Sequence, residues 1–256
     1  MKSCLGLLQN ARHIWILFGN SWEWSVMEYR VEKKYLVSEG QLLYLQKQLE
    51  NYMSYDKHHP DGEAYTIRSA YFDDLFDSFL QENEDGTDNR EKYRIRIYNG
   101  DFSEIHLECK SKLNGFTKKK KENLTQEECM CYINKEPYIL YAEDGFLKKR
   151  VYALNQISRF QPVQIVEYER VAFVEEIGNV RLTLDRNICG TNQVERFFEP
   201  DIQAAPALPA GMHILEVKYD ELLPDYITNV LRSMSLRRTS FSKYYYTRKN
   251  QVINWE

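Results

Sequence analysis

Polar and apolar side chains alternate along most of the chain, which is the pattern of strands that turn one face toward a core. The first such segment, residues 29–37, places Arg30, Glu32 and Lys34 on one parity. Further segments of this kind lie at residues 64–73, 91–98, 103–112, 162–173, 180–185 and 212–219. Asn99-Gly100 separates two of them and is a strong hairpin signal. The sequence therefore predicts about eight strands, mostly antiparallel.

Helices are predicted between these strands. Ser38 is a candidate N-cap, and Leu42, Leu45 and Leu49 recur at helical spacing, which predicts a helix over residues 38–52. Other helices are predicted over residues 74–80, 125–150, 154–160 and 222–234. An even number of antiparallel strands can close on itself and so remove its edges. We therefore expect an α+β fold, a closed antiparallel β-barrel of about eight strands with the helices packed outside.

The charged residues of the predicted strands share one parity. Lys92, Arg94 and Arg96 run together on a single face, where like charges repel. The same parity carries Glu108 and Lys110, Tyr168 and Arg170, Arg181 and Asp185, and Glu216 and Lys218. In any single strand, a polar face turned toward solvent would explain these charged residues. Repetition across strands instead predicts a ring of cations that lines a hydrophilic tunnel inside the barrel and binds an anion.

Composition narrows the choice of partner and compartment. The chain has 34 Lys and Arg against 38 Asp and Glu, so the net charge of −4 does not by itself demand a polyanion. Five scattered Cys argue against a disulfide framework and favour a reducing compartment, which predicts a cytoplasmic protein. The sequence has no Gly-rich phosphate loop. Its aromatic residues fall mostly on the apolar parity, which argues against base stacking and against nucleic acid as a partner.

The N-terminal residues differ from the rest of the chain. The apolar run from Ile14 to Phe18 is too short to span a bilayer, and Arg12 and His13 precede it. Met27 directly precedes the first patterned segment. We interpret residues 1–26 as an N-terminal extension, either upstream of the natural start or packed on a domain of residues 27–256. Contact with a membrane stays open but is not indicated.

A series of short motifs over residues 28–246 carries a family resemblance. The motifs are Arg30-x-Glu32-x-Lys34-Tyr35, Tyr71-Phe72-Asp73, Tyr93-Arg94-Ile95-Arg96-Ile97-Tyr98, Leu107-Glu108-x-Lys110, Tyr168-x-Arg170-x-Ala172-Phe173, Val180-Arg181-x-Thr183-x-Asp185, Leu215-Glu216-Val217-Lys218-Tyr219 and Ser240-Phe241-Ser242-Lys243-Tyr244. With these motifs in this order, the chain resembles the bacterial VTC-type members of the triphosphate tunnel metalloenzymes, which form the CYTH-like superfamily. It is similar to the catalytic domain of the eukaryotic vacuolar transporter chaperone polyphosphate polymerase.

The resemblance, with the parity of the charges, implies a site. The catalytic cations would be Lys34, Arg94, Arg96, Lys110, Arg170, Arg181 and Lys243. Substrate contacts would come from Arg30, Lys92, Lys120, Tyr168, Lys218 and Ser242, where Lys120 stands for whichever of residues 118–121 enters the tunnel. Glu216, with Glu32 and Glu108, would hold Mn²⁺ or Mg²⁺. The implied partners are ATP and polyphosphate or tripolyphosphate.

The implied activity is metal-dependent synthesis of polyphosphate from ATP. Two alternatives stay open: a hydrolase that cleaves tripolyphosphate or a nucleoside triphosphate in the same tunnel, and a non-enzymatic barrel that binds polyphosphate. One departure bears on this choice. The polymerase pattern has a Lys two residues before the Ser242-Lys243 pair, where this chain has Ser240.

Overall fold

The computed structural model describes residues 30–56, 61–113, 116–136, 141 and 143–253. The predictions for residues 1–26 lie outside the described residues. Eleven strands are described: β1 Val31–Ser38, β2 Ser54–Tyr55, β3 Tyr65–Asp73, β4 Arg90–Tyr98, β5 Asp101–Leu113, β6 Phe116–Leu124, β7 Gln161–Glu175, β8 Val180–Thr191, β9 Ala205–Pro206, β10 Met212–Tyr219 and β11 Arg237–Thr239. Six α-helices accompany them: α1 Glu39–Leu49, α2 Ser78–Glu84, α3 Gln126–Ile133, α4 Phe146–Ser158, α5 Asp225–Arg232 and α6 Lys243–Ile253.

All the strands belong to one antiparallel sheet. Its hydrogen-bonded order is β11-β1-β10-β8-β7-β3-β4-β5-β6, with β2 paired to β7 and β9 paired to β8. The predicted hairpin at Asn99-Gly100 is confirmed, with positive φ angles of 52° and 65° at its two residues. This conformation, which Asn and Gly tolerate best, joins β4 to β5 directly.

The sheet curls until strands far apart in its order face each other. Five strands separate β1 from β5, so a flat sheet would hold them about 30 Å apart. Lys110 Nζ on β5 nevertheless lies 3.1 Å from Glu32 Oε2 on β1. Among the described residues no hydrogen-bonded ladder joins β6 to β11 or β1, so the predicted closed barrel is not confirmed. The two sides of the sheet approach each other through charged side chains, not through backbone pairing.

Two of the three described hydrophobic clusters lie outside the curled sheet, where helices cover its apolar face, and the third, which includes Tyr71, Tyr168 and Ile214, lies on the inner side against Phe241 and Tyr244. One cluster packs Ile95 and Leu107 of the sheet against Leu147 of α4 and Phe160. A second joins Leu182, Leu184, Leu215 and Val217 of the sheet to Leu42, Leu45 and Leu49 of α1 and Ile227 of α5. The expected placement of helices against the outer, apolar parity holds for α1, α4 and α5, whereas α6 packs against the inner side of the sheet, where Tyr244 stacks on Tyr71.

The first helix forms as its sequence predicts. Ser38 is the N-cap of α1, and its side chain and that of Gln41 bond reciprocally to the backbone of the other residue as a capping box. Leu42, Leu45 and Leu49 are fully buried, as their spacing requires.

Other boundaries differ from prediction. The predicted helices at residues 74–80 and 222–234 begin later, at Ser78 and Asp225. Residues 154–158 form the end of α4 rather than a separate helix. Residues 118–121, which lie outside the predicted strands, belong to strand β6. A run of lysines suits an edge strand, because the charges discourage pairing with a further chain.

No helix among the described residues is long and apolar enough to cross a bilayer.

We expect Leu45→Ala to lower the free energy of unfolding by about 2–5 kcal/mol, because a fully buried leucine would leave a cavity between α1 and the sheet. The matched control is Leu43→Ala on the same helix, since Leu43 is 55% exposed. Urea unfolding followed by circular dichroism measures both. Equal losses for the two variants would contradict the packing described here.

Candidate active site

One face of the curled sheet is concave, and the charged side chains of seven strands project toward it. In antiparallel pairs, residues directly opposite each other project to the same side. The register places Lys34 opposite Glu216, Glu216 opposite Thr183, Arg170 opposite Asp185, Arg94 opposite Glu108 and Lys110 opposite Lys119. We define the concave face by these residues together with Glu32, Tyr71, Lys92, Arg96, Tyr168, Arg181 and Lys218. Ser242 and Lys243 reach it from the start of α6.

Two arginines of β4 meet Glu108 at one side of this face. Arg94 Nη2 lies 2.7 Å and Arg96 Nη1 3.8 Å from Glu108 Oε2. Arg94 also donates to the Tyr71 hydroxyl at 2.9 Å, and Arg96 to the Tyr168 hydroxyl at 3.3 Å. Burial alone favours protonated Glu108, but the two guanidinium groups hold its pKa well below the usual value. These contacts fix both arginines in place on the concave face.

The lysines of β6 alternate between the two faces of the sheet. Lys119 Nζ lies 2.5 Å from Glu108 Oε1 and so belongs to the concave face. Lys120 lies opposite Cys109, and its Nζ is 3.7 Å from the ring centre of Phe146 on α4. The prediction that Lys120 enters the tunnel is therefore wrong. A strand sends adjacent residues to opposite sides, and Lys120 falls on the outer side.

Asp185 of β8 anchors two cations, one on β7 and one on α6. Arg170 makes a bidentate pair with it, Nε–Oδ1 at 2.6 Å and Nη2–Oδ2 at 2.8 Å. Lys243 Nζ lies 2.6 Å from Oδ2 and 4.6 Å from the ring centre of Tyr168. Burial opposes ionisation of Asp185, yet Arg170 and Lys243 keep its pKa below the usual value. The arrangement fixes Arg170 and Lys243 side by side.

Glu216 and Glu32 form a second acidic point, on β10 and β1. Lys218 Nζ lies 2.5 Å from Glu216 Oε1 and 4.0 Å from Glu32 Oε2. Lys34 Nζ lies 3.2 Å from Glu32 Oε1. Burial disfavours charge on Glu216, but Lys218 and Lys34 hold its pKa well below the usual value. Both carboxylates are therefore available as anions at neutral pH.

This carboxylate pair fits a divalent cation. An ammonium group, that of Lys218, already lies between the two side chains, so positive charge is stabilised at this point. Mg²⁺ is commonly bound through one or two carboxylates, with the remaining ligands supplied by water and substrate phosphates. Glu108 does not join the pair, because Arg94, Arg96 and Lys119 occupy it. In the described part of the chain no three Asp, Glu, His or Cys side chains form a metal-binding group.

Two predicted cations lie at the margin of the face. Arg181 Nη2 pairs with Asp56 Oδ2 at 2.6 Å, beside β2. Arg30 donates to the Asn179 carbonyl at 2.7 Å and lies 3.7 Å from Asp220. The structure thus places Arg30 on the loop side of β1, apart from the cations gathered around Glu108 and Asp185.

The VTC domain family matches residues 29–250, which is most of the chain. This protein belongs to the VTC domain family. Among solved structures it is similar to a candidate adenylate cyclase from Bacillus halodurans, with a TM-score of 0.50 and 16% identity over 84% of this chain and 95% of that one. A Pyrococcus horikoshii protein matches with a TM-score of 0.46 and 15% identity over 87% and 99%. No curated protein sequence matches significantly.

Three residues of this VTC domain contribute to the face although no site role was predicted for them. Tyr71 and Asp185 orient arginines, and both stood in the motifs as unassigned positions. Thr183 lies opposite Glu216, and its buried hydroxyl oxygen has no hydrogen-bond partner among the described residues. The sequence signal that could have identified them is their parity, which they share with the cations. Acidic or uncharged residues on that face hold the charged side chains in place.

The ion pairs of Glu108 should make the stability of the VTC domain depend on pH. Because the folded pKa of Glu108 is lowered, its contribution is present above the ordinary value of 4.5 and lost as the pH falls below it. We expect Glu108→Gln to lose on the order of 3 kcal/mol at pH 7, since it leaves Arg94 and Arg96 without their carboxylate.

Urea unfolding at pH 7, 5, 4 and 3 tests this. The difference between wild type and Glu108→Gln should shrink toward pH 3. Glu104→Gln is the control, because the Glu104 side chain is 74% exposed. A difference that stays constant with pH would contradict the role assigned to the Glu108 carboxylate.

Proposed function

We propose that this VTC domain transfers phosphoryl groups in a basic tunnel formed by the concave face, and that it synthesises polyphosphate from ATP. The observation that carries the proposal is the charge of that face. It holds ten cationic side chains, namely Lys34, Lys92, Arg94, Arg96, Lys110, Lys119, Arg170, Arg181, Lys218 and Lys243. Glu32, Glu108, Asp185 and Glu216 oppose them, and Asp56 pairs with Arg181.

When Lys92 is protonated, the described residues of this concave face therefore carry five more positive than negative charges. A chain of phosphate groups spreads negative charge along its length and matches cations that come from several strands. Arg offers planar, bidentate contacts to phosphate oxygens, and Lys acts as a point charge. In phosphoryl transfer the protein has little covalent chemistry to perform, so positioning and charge neutralisation dominate catalysis. The preorganised arginines on Glu108 and Asp185 supply both.

Each group of residues takes a separate task in the proposal. Arg94 and Arg96 hold the phosphate at one side of the face, and Arg170 and Lys243 hold it at the other. Glu216 and Glu32 would hold Mn²⁺ or Mg²⁺, which when bound adds charge neutralisation between phosphate oxygens. Tyr168, which contacts Arg96, Arg170 and Lys243, keeps these cations in register.

A hydrolase remains the second candidate, and Ser240 favours it. Ser240 is exposed and supplies no charge where the polymerase pattern has a Lys. A weaker hold on the product chain would favour transfer to water over transfer to phosphate. Attack by water needs no other change in the site, so only the product distinguishes the two reactions.

The deciding experiment incubates the purified protein with ATP and Mn²⁺ or Mg²⁺, with and without a short polyphosphate primer. Long-chain polyphosphate, ADP and free phosphate are followed together, with Glu216→Gln as control. We expect polymer to appear with ADP and to be absent from the control. Free phosphate without polymer would support the hydrolase. No turnover, with tripolyphosphate still bound, would leave a polyanion-binding domain.

The alternation of β6 yields a matched pair of variants. Lys119→Met should lower kcat/KM by about tenfold, less than the roughly hundredfold effect of losing a buried transition-state donor because Lys119 is half exposed. Lys120→Met removes the same charge from the outer face and should change kcat/KM by less than about twofold. Steady-state phosphate release measures both, and equal effects would show that the concave face does not hold the substrate.

A further inference from the structure

Lys92 differs from the other lysines of the concave face in its partners. Lys34, Lys110, Lys119, Lys218 and Lys243 each have an Nζ between 2.5 and 3.2 Å from a carboxylate oxygen. Lys92 Nζ instead donates to two neutral oxygens, Asn83 Oδ1 at 2.5 Å and Ser242 Oγ at 3.1 Å. Among the described residues no carboxylate lies within 4.0 Å of it. Its positive charge has no local counter-charge.

The elements packed around Lys92 place further cations near it, and their acidic side chains are paired with other groups. Arg90 and Arg94 flank it on β4, Lys34 faces it from β1, and Lys110 from β5. The acids nearby are engaged elsewhere. On α2, Glu84 is bound by Tyr245 and Lys249. On β3, Asp73 accepts hydrogen bonds from the backbone of Phe79 and Leu80 and from the Tyr244 hydroxyl. Glu32 and Glu108 are paired with other lysines.

This environment disfavours the charged amine. Burial, followed by the repulsion of Arg90 and Lys34, lowers the pKa of Lys92 to about 7. Above pH 7 the free protein therefore holds Lys92 mostly as a neutral amine. The Asn83 and Ser242 oxygens accept a hydrogen bond from either form, so the side chain stays aimed at the concave face in both states.

We propose that Lys92 is a proton-coupled phosphate contact, which takes up a proton when a phosphate chain binds beside it and so completes the charge of the face only in the complex. The inference rests on the proposed function, because it requires the concave face to bind a phosphate chain. A phosphate oxygen supplies the negative partner that the protein does not provide. The Ser242 hydroxyl, already in contact with Lys92, can donate to the same anion.

The consequence is a defined dependence of affinity on pH. At pH 8, about one unit above the pKa, binding has to include protonation of Lys92, which weakens affinity by about tenfold relative to a permanently charged side chain. At pH 6 Lys92 is already charged, so the penalty disappears. Lys92→Arg keeps the charge and the donors but stays protonated at both pH values.

The experiment is calorimetric titration of metal-free protein with tripolyphosphate at pH 6 and pH 8, each in two buffers of different ionisation enthalpy. The difference in apparent enthalpy between buffers gives the protons taken up. We expect wild type at pH 8 to take up about 0.9 proton more than Lys92→Arg, and the two to agree at pH 6. Lys92→Arg should bind up to about tenfold tighter than wild type at pH 8.

Lys33→Met is the control, because Lys33 lies over the Tyr219 ring, away from the concave face. Its proton uptake should equal that of wild type, and thermal melting verifies the fold of each variant. Tight binding with the same uptake in wild type and Lys92→Arg at pH 8 would overturn the inference but leave the proposed function intact. No binding of tripolyphosphate to any form would overturn both.

Discussion

Repulsion among the cations of the concave face is the constraint on which the rest of the structure depends. Lysines and arginines from β1, β4, β5, β6, β7, β8 and β10 converge on one concave surface, and water screens the buried ones among them less than it screens exposed charges. Glu108, Asp185 and Glu216 offset part of this repulsion, and they stay ionised because each lies between at least two cations. The remaining charge is what makes an anion the natural ligand of this fold.

Because the inner face of the sheet carries so many charges, most of the aliphatic core lies on its outer face. Leucine, isoleucine and valine on the opposite parity of the same strands pack outward against α1, α4 and α5. The outer face of the sheet therefore contributes most of the aliphatic packing, and the inner face contributes the charges together with the ion pairs that stabilise them.

The segment just before and within the start of α6 ties the concave face together. Phe241 accepts a hydrogen bond from Lys34 of β1 through its carbonyl, and Ser242 contacts Lys92 of β4. Lys243 pairs with Asp185 of β8, and Tyr244 bonds to Asp73 of β3 at 2.5 Å. Four consecutive residues thus reach four strands that are distant in the chain. They hold the curled sheet in shape where backbone pairing does not.

Local patterns in the sequence determined the elements and the division between faces. Alternation predicted the strands, Ser38 and its leucines predicted α1, and the charged parity predicted which residues would share a surface. These features depend on neighbours a few positions apart, so a single chain reveals them. Lys119 and Lys120 show the limit: adjacent lysines look alike in sequence, and only the register of β6 against β5 decides which one faces inward.

Only the tertiary structure decided how the sheet meets itself and which charges become partners. The contact between Glu32 and Lys110, residues 78 positions apart, depends on the curl of the whole sheet and not on either local pattern. The same holds for the lack of a described carboxylate within 4.0 Å of Lys92, and for the separation of Glu108 from Glu216 and Glu32. Sequence determines which side of a strand a charge occupies, but long-range packing determines what it meets there.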